Sequence, residues 1–204
     1  MTRETYASHT FLLASSNAHK IAEMRELLAP QGIRLLAPSD IGLDLDVDET
    51  GETFRDNALL KARAYCAAAK LPAIADDSGL CVDALDGAPG VYSARYGGTS
   101  GDAAHIALLL KNLDGATDRA AKFVCAIACV FPNGDELRAD GECHGEIARE
   151  TRGDNGFGYD PVFWLPQFGK SMAELTAAEK NAMSHRGLAV REFSEKLERY
   201  LHND

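Results

Sequence analysis

Apolar residues recur along this chain with periods of about 3.6 and 2, and the switches between them mark the elements. Thr10 to Ser15 predicts a short buried strand. Asn17 can cap a helix from Ala18 to Ala29, with Ile21, Met24 and Leu28 on one face; Pro30 and Gly32 stop it. Ile33 to Ala37 predicts a second strand, and an acidic loop runs from Pro38 to Glu52. Thr53 can cap a long helix that ends near Leu71 and Pro72, with Phe54, Ala58, Ala62, Tyr65 and Ala69 on its apolar face. Ala73 to Ala75 predicts a strand running into Asp76-Asp77-Ser78-Gly79, continued by Leu80 to Val82. Gly87-Ala88-Pro89-Gly90 is turn material, and Ser100 can cap a helix from about Asp102 to Leu113. Phe123 to Phe131 and Glu136 to Ile147 read as strands around Asn133-Gly134, a strong hairpin signal. A Gly-rich loop from Arg149 to Tyr159 and helices from Thr176 and Ser184 complete the chain. The pattern predicts an α/β protein with a mixed central sheet flanked by helices. Residues 1–9 read as a loose polar lead-in.

Composition narrows the class. The 204 residues fit one domain, or one with two lobes, and 46% hydrophobic residues can build a full core. The net charge of −10 argues against a protein that coats nucleic acid or an anionic membrane, since both need a basic surface. The five cysteines, Cys66, Cys81, Cys125, Cys129 and Cys143, form no C-x-x-C pair, so buried free thiols in a reducing cytoplasm are the simplest reading. The longest apolar run, Phe123 to Phe131, is far too short to span a membrane.

The helix starts carry an oddity. Lys20 falls in the first turn after Asn17, where a cation opposes the helix dipole by roughly 0.3–1 kcal/mol. It also projects within about 40° of Met24, toward the interior. Arg186 follows the Ser184 cap and lies within about 20° of Phe193, and Lys61 lies within about 20° of Phe54. Any one of these could snorkel past the core edge. An anion held at converging helix N-termini, most simply phosphate, accounts for all three. Two acidic stretches answer these bases: Asp44, Asp46, Asp48, Glu49 and Glu52 in the loop, and Asp76-Asp77 directly after a strand. Ligands gather at that strand end in α/β sheets, and neighbouring side chains point apart, so one acid faces the site. Carboxylates beside phosphate imply Mg²⁺. The triplet Gly169-Lys170-Ser171 is only the end of a P-loop; the position needing glycine is Trp164.

Several motifs occur in order: Ser15-x-Asn17-x-x-Lys20; Glu49-Thr50-Gly51 with Phe54-x-x-Asn57-Ala58-x-x-Lys61-Ala62; Ala75-Asp76-Asp77-Ser78-Gly79-Leu80; Gly87-Ala88-Pro89-Gly90-x-Tyr92-Ser93-Ala94-Arg95; Gly156-Phe157-Gly158-Tyr159-Asp160-Pro161; and Ser184-His185-Arg186. Together they resemble the inosine/xanthosine triphosphate pyrophosphatase family, over about Phe11 to Leu201. The Ser15-Ser16 pair stands where many members carry Thr-Gly.

The resemblance implies a two-lobed α/β homodimer with the nucleotide in a cleft between lobes, hydrolysing ITP, dITP and XTP to the monophosphate and pyrophosphate with Mg²⁺. It implies that Ser15, Asn17, Lys20 and Lys61 contact phosphate, that Glu49 and Asp77 serve the metal, and that Asp77 is the general base, followed into the site by Ser78. It implies that Phe157 stacks on the base, with Gly158, Tyr159, Asp160, Lys180, His185 and Arg186 around it. The chemistry fits these roles: hydrolysis needs a positioned water, a base and cations on the leaving pyrophosphate. A 6-oxopurine offers O6 and N7 acceptors to Arg186 and His185, whereas adenine presents a donor at the 6-position. The rivals are a pyrophosphatase for modified pyrimidine nucleotides and a nucleotide sensor without catalysis.

Overall fold

The computed structural model describes residues 10–98 and 101–202. The lead-in at residues 1–9 and the Ser100 cap lie outside the described residues. Seven strands form one sheet in the order β2-β1-β3-β4-β5-β6-β7. They are β1 (Thr10–Leu13), β2 (Arg34–Leu36), β3 (Ala73–Val82), β4 (Ala120–Val130), β5 (Glu136–Ile147), β6 (Phe163–Leu165) and β7 (Lys170–Ser171). The helices are α1 (Ala18–Leu28), α2 (Phe54–Ala69), α3 (Asp102–Asn112), α4 (Ala177–Met183) and α5 (His185–His202). The sheet is mixed: β1 pairs parallel with β2 and β3, whereas β6 pairs antiparallel with β5 and β7. No helix among the described residues is long and apolar enough to cross a membrane.

By contacts the chain divides into two compact units. The first comprises residues up to Asp77, Cys125–Gly141 and Gly187 onward; the second comprises Ser78–Val124 and Glu142–Arg186. In the first, β1 and β3 bury both faces. Phe11, Leu13 and Ile74 pack with Met24 of α1 and Phe193 of α5. Leu12, Ala14, Ala73 and Ala75 pack with Ala58, Ala62 and Tyr65 of α2. Two-sided burial explains why these strands read as continuous apolar runs. In the second unit, Ile106 and Leu109 of α3 pack with Leu80, Phe123, Val162 and Phe163.

Three expectations change. Asp76 and Asp77 do not follow a strand; β3 continues through them to Val82. Asp and Gly disfavour strands, but the ladder overrides that local preference. The register explains the functional sense all the same. Pairing with β1 ends at Leu13 opposite Ile74, so both acids lie just beyond the C-terminal end of the parallel ladder. Second, α3 has Gly101 at its cap position, with no side-chain cap bond. Third, β6 and β7 have no counterpart in the sequence pattern. With 3 and 2 residues they are too short to display a period. The Lys170-Ser171 pair is β7, so the half P-loop belongs to a hairpin.

Candidate functional site

The expected residues fall into two groups, one in each unit. In the first, Asn17 Oδ1 accepts from the backbone N–H of His19 (2.9 Å) and Lys20 (3.2 Å), and its own N–H donates to Ser15 Oγ at 3.2 Å. That cap starts α1 beside the end of β1. Lys20 is one turn before the buried Met24, and its ammonium reaches Asp76 Oδ2 at 3.2 Å.

Strand alternation sorts the adjacent acids. Asp76 shares a face with Ile74, the α1 side, and meets Lys20. Asp77 shares a face with Ala73 and Ala75, the α2 side, and meets α2. There Lys61 Nζ donates to Asp77 Oδ1 at 3.1 Å and to Glu49 Oε1 at 2.6 Å. Asn57, fully buried, donates to Asp77 Oδ2 at 3.3 Å and accepts from Gly51 N–H at 2.8 Å. It thereby ties the Glu49 segment to Asp77. Gly51 fits only as glycine: a Cβ would lie 2.6 Å from Asp56 Cβ and 2.9 Å from Asn57 N.

Burial opposes the Lys61 ammonium, but Asp77, Asp76 and Glu49 more than offset it and hold its pKa above the ordinary lysine value. Burial raises Asp77 above the usual aspartate value; Lys61 and Lys20 pull it down, and Glu49 pushes it up. Two carboxylate oxygens therefore converge on one positive centre. This is the donor set a hard divalent cation takes, and Lys61 Nζ stands in for that charge. No group of three or more His, Cys, Asp or Glu gathers to hold a metal among the described residues. A cation held by two carboxylates would draw its other ligands from water or phosphate, as Mg²⁺ does.

In the second unit, Asp160 and Lys180 form a buried pair at 2.7 Å. Asp160 Oδ2 also accepts from Phe157 N–H at 2.9 Å. Lys180 Nζ lies 4.9 Å from the Phe157 ring centroid and Arg186 Cζ 5.7 Å, so two cations flank one aromatic ring. Arg186 is only 1% exposed and donates to Ser78 Oγ at 2.9 Å. The His185 ring stacks on Phe123, centroids 4.7 Å apart and 16° between planes. Gly156 has φ 78°, and a Cβ there would meet Asp160 Oδ2, so the turn into Phe157 requires glycine. Gly158 N–H donates to Asp102 Oδ2 at 2.6 Å.

Tyr159 is buried and its hydroxyl donates to Ser93 O at 2.9 Å; burial pushes its pKa far above the ordinary tyrosine value. Ser93 Oγ in turn accepts from Leu80 N–H at 2.9 Å. The Gly-Ala-Pro-Gly-x-Tyr-Ser-Ala-Arg motif thus ties β3 to the Phe157 loop. All five cysteines are free, four buried and Cys81 half-buried. Sequence reasoning quoted Asn57 only as part of a motif and missed the contacts of Asp102 and Phe123. None of these contacts has a sequence spacing that betrays it.

A mixed-sheet α/β protein with a lysine–carboxylate cluster just past a parallel ladder, and a cation-flanked aromatic ring, defines the class. The Ham1 family matches residues 11–196, and the chain belongs to that family. It is 51% identical over 182 residues to a Synechocystis protein named dITP/XTP pyrophosphatase, covering 88% of this chain and 91% of that one. A protein of the same name from Aromatoleum aromaticum is 51% identical over 189 residues, covering 91% and 95%. The solved structure of a HAM1 protein from Coxiella burnetii superposes with a TM-score of 0.84 at 46% identity, covering 93% of this chain and 98% of that one.

Proposed function

We propose that this protein hydrolyses non-canonical purine nucleoside triphosphates (ITP, dITP and XTP) to the monophosphate and pyrophosphate, with Mg²⁺, clearing them from the nucleotide pool. The relatives' names support the activity. The observation that carries it is the contact of Lys61 with both Glu49 and Asp77, beside the Lys20–Asp76 pair.

Lys20, Lys61, Asn17 and Ser15 bind the phosphates and set positive charge against the leaving pyrophosphate. Asp77 accepts the proton of the attacking water. Glu49 and Asp77 hold the Mg²⁺, which when bound supplies further charge stabilisation at the phosphate oxygens. Phe157 stacks on the base, and its flanking cations suit a ring rich in acceptors. Arg186 and His185 donate to O6 and N7; adenine keeps N7 but sets a 6-amino donor in place of O6, which leaves the donor at that position unmet, the costly outcome for buried polar groups. Gly158, Tyr159, Asp160 and Lys180 shape this base site. The same reading carries a homodimer in the cytoplasm, with neither nucleic acid nor membrane as partner.

The test is pyrophosphate release across a nucleotide panel with and without Mg²⁺. Release from ITP, dITP and XTP, little from ATP, and none without a divalent cation is expected. A folded protein that releases no pyrophosphate from ITP, or one that strongly prefers a pyrimidine, overturns the proposal.

A further inference from the structure

The stacking ring sits on a segment that packing alone does not hold. Gly156 and Gly158 flank Phe157 with φ of 78° and 62°, and no helix or strand contains the three residues. Around Gly158 a Cβ would meet nothing within 4 Å. Two carboxylates fix the segment, each accepting from one of two successive backbone amides. Asp160 Oδ2 takes Phe157 N–H at 2.9 Å, and Asp102 Oδ2 takes Gly158 N–H at 2.6 Å. Asp160 stands three positions from Phe157 and is itself held by Lys180 of α4 at 2.7 Å. Asp102 stands 56 positions earlier, in the first turn of α3, and α3 is seated in the core through Ile106 and Leu109. Beside the Asp160–Lys180 pair and the Tyr159 hydroxyl on Ser93 O, Asp102 is the anchor that holds the Gly158 amide to α3. Charged acceptors make short, strong hydrogen bonds, and this one lies next to the peptide that carries the ring.

We propose that Asp102 is a positioning residue for nucleotide recognition: by holding the Gly158 amide it sets the Phe157 ring in place for the base. The inference rests on Phe157 stacking on the base. Its physical core, the immobilised amide, stands without it.

An acid at a helix N-terminus has a competing structural role, since it favours the dipole. Two variants separate the roles. Asp102→Asn keeps an oxygen acceptor and loses the charge; Asp102→Ala loses both. The dipole contribution falls alike in both variants. The positioning role falls only in Asp102→Ala. In the free protein, hydrogen exchange at the Gly158 amide should quicken at least about tenfold in Asp102→Ala and stay close to wild type in Asp102→Asn. With ITP, KM should rise about tenfold in Asp102→Ala with kcat little changed, and Asp102→Asn should restore it to within about twofold. Equal exchange at Gly158 in all three proteins overturns the inference, as does a KM that follows the thermal midpoint in both variants. If the wild-type protein releases no pyrophosphate from ITP, the proposed function fails, while the exchange arm still decides whether Asp102 holds the loop.

Discussion

Replacing Lys61 with methionine and measuring stability in the substrate-free protein tests the electrostatic heart of the site. Methionine is a good helix former and roughly matches the lysine stem, so α2 should persist. What disappears is the charge held 2.6 Å from Glu49 and 3.1 Å from Asp77. Removing one partner from a fully buried pair costs about 3–5 kcal/mol, and an exposed pair contributes about 0.2–1 kcal/mol. Here the side chains are 12% (Lys61), 10% (Asp77) and 28% (Glu49) exposed, which places the loss between those limits, at about 2 kcal/mol at pH 7.5. At this chain length that is about 4–8 °C in thermal midpoint. The sign with pH follows from the direction of each shift. Lys61 has its pKa raised, so its contribution is fully present throughout pH 5–8 and is lost only in strong alkali. In the variant, Asp77 loses the cation that pulls its pKa down, so burial drives it higher still. Protonation then relieves the bare carboxylate, and the deficit shrinks as pH falls from 7.5 toward about 4, near the ordinary aspartate value. The two carboxylates also keep their affinity for a cation. Mg²⁺ at about ten times its Kd should restore about 1.4 kcal/mol, and more to the variant than to wild type. Thermal unfolding at matched ionic strength, with and without Mg²⁺, measures all three effects. A deficit equal at both pH values, or no Mg²⁺ recovery beyond that of sodium, refutes the reasoning.

Asp77→Asn should abolish pyrophosphate release while nucleotide affinity by calorimetry stays within a few-fold; turnover within about tenfold of wild type removes Asp77 as base. Arg186→Ala should lower the ITP-to-ATP ratio of kcat/KM at least about tenfold, and an unchanged ratio rejects its role in selecting the base. Because Arg186 is almost wholly buried, the ratio rather than absolute activity is the measurement that counts.

Local signals sufficed where one residue made its own case. Asn17 and Thr53 cap α1 and α2 as their side chains predict, and Thr176 caps α4 with Glu179 completing the box. Lys20, Lys61 and Arg186 pointed inward because helical period alone places them there. Long-range pairing left no such trace. Nothing local says that Asp77 meets Asn57, that Asp102 meets Gly158, or that Phe123 supports His185, because each partner lies on another element. The strand through Asp76-Asp77 failed locally for a related reason: its ladder is a tertiary property that outweighs the turn preference of Asp and Gly.

The acidic loop shows how the charge of −10 divides between solvent and site. Residues 40–56 and 76–86 together account for all of it. Acidity alone does not say which carboxylates meet Lys20 and Lys61; register does. From Leu43 to Glu49 exposure alternates: Asp44, Asp46 and Asp48 are exposed, and Leu43, Leu45 and Val47 are half-buried against the α2 core. Tyr65 of α2 fixes that phase by donating to Leu45 O at 2.7 Å. Glu49 continues the inward phase, two residues after Val47, and so arrives at Lys61 while its acidic neighbours face water. Asp76 and Asp77 are parted by the same period, one to α1 and one to α2. A one-residue slip in either segment would turn Glu49 to solvent or exchange the partners of the two aspartates. The site is therefore selected by the period-2 phase of two extended segments. The surplus of acid in those segments leaves Asp44, Asp46 and Asp48 as solvent-facing charge.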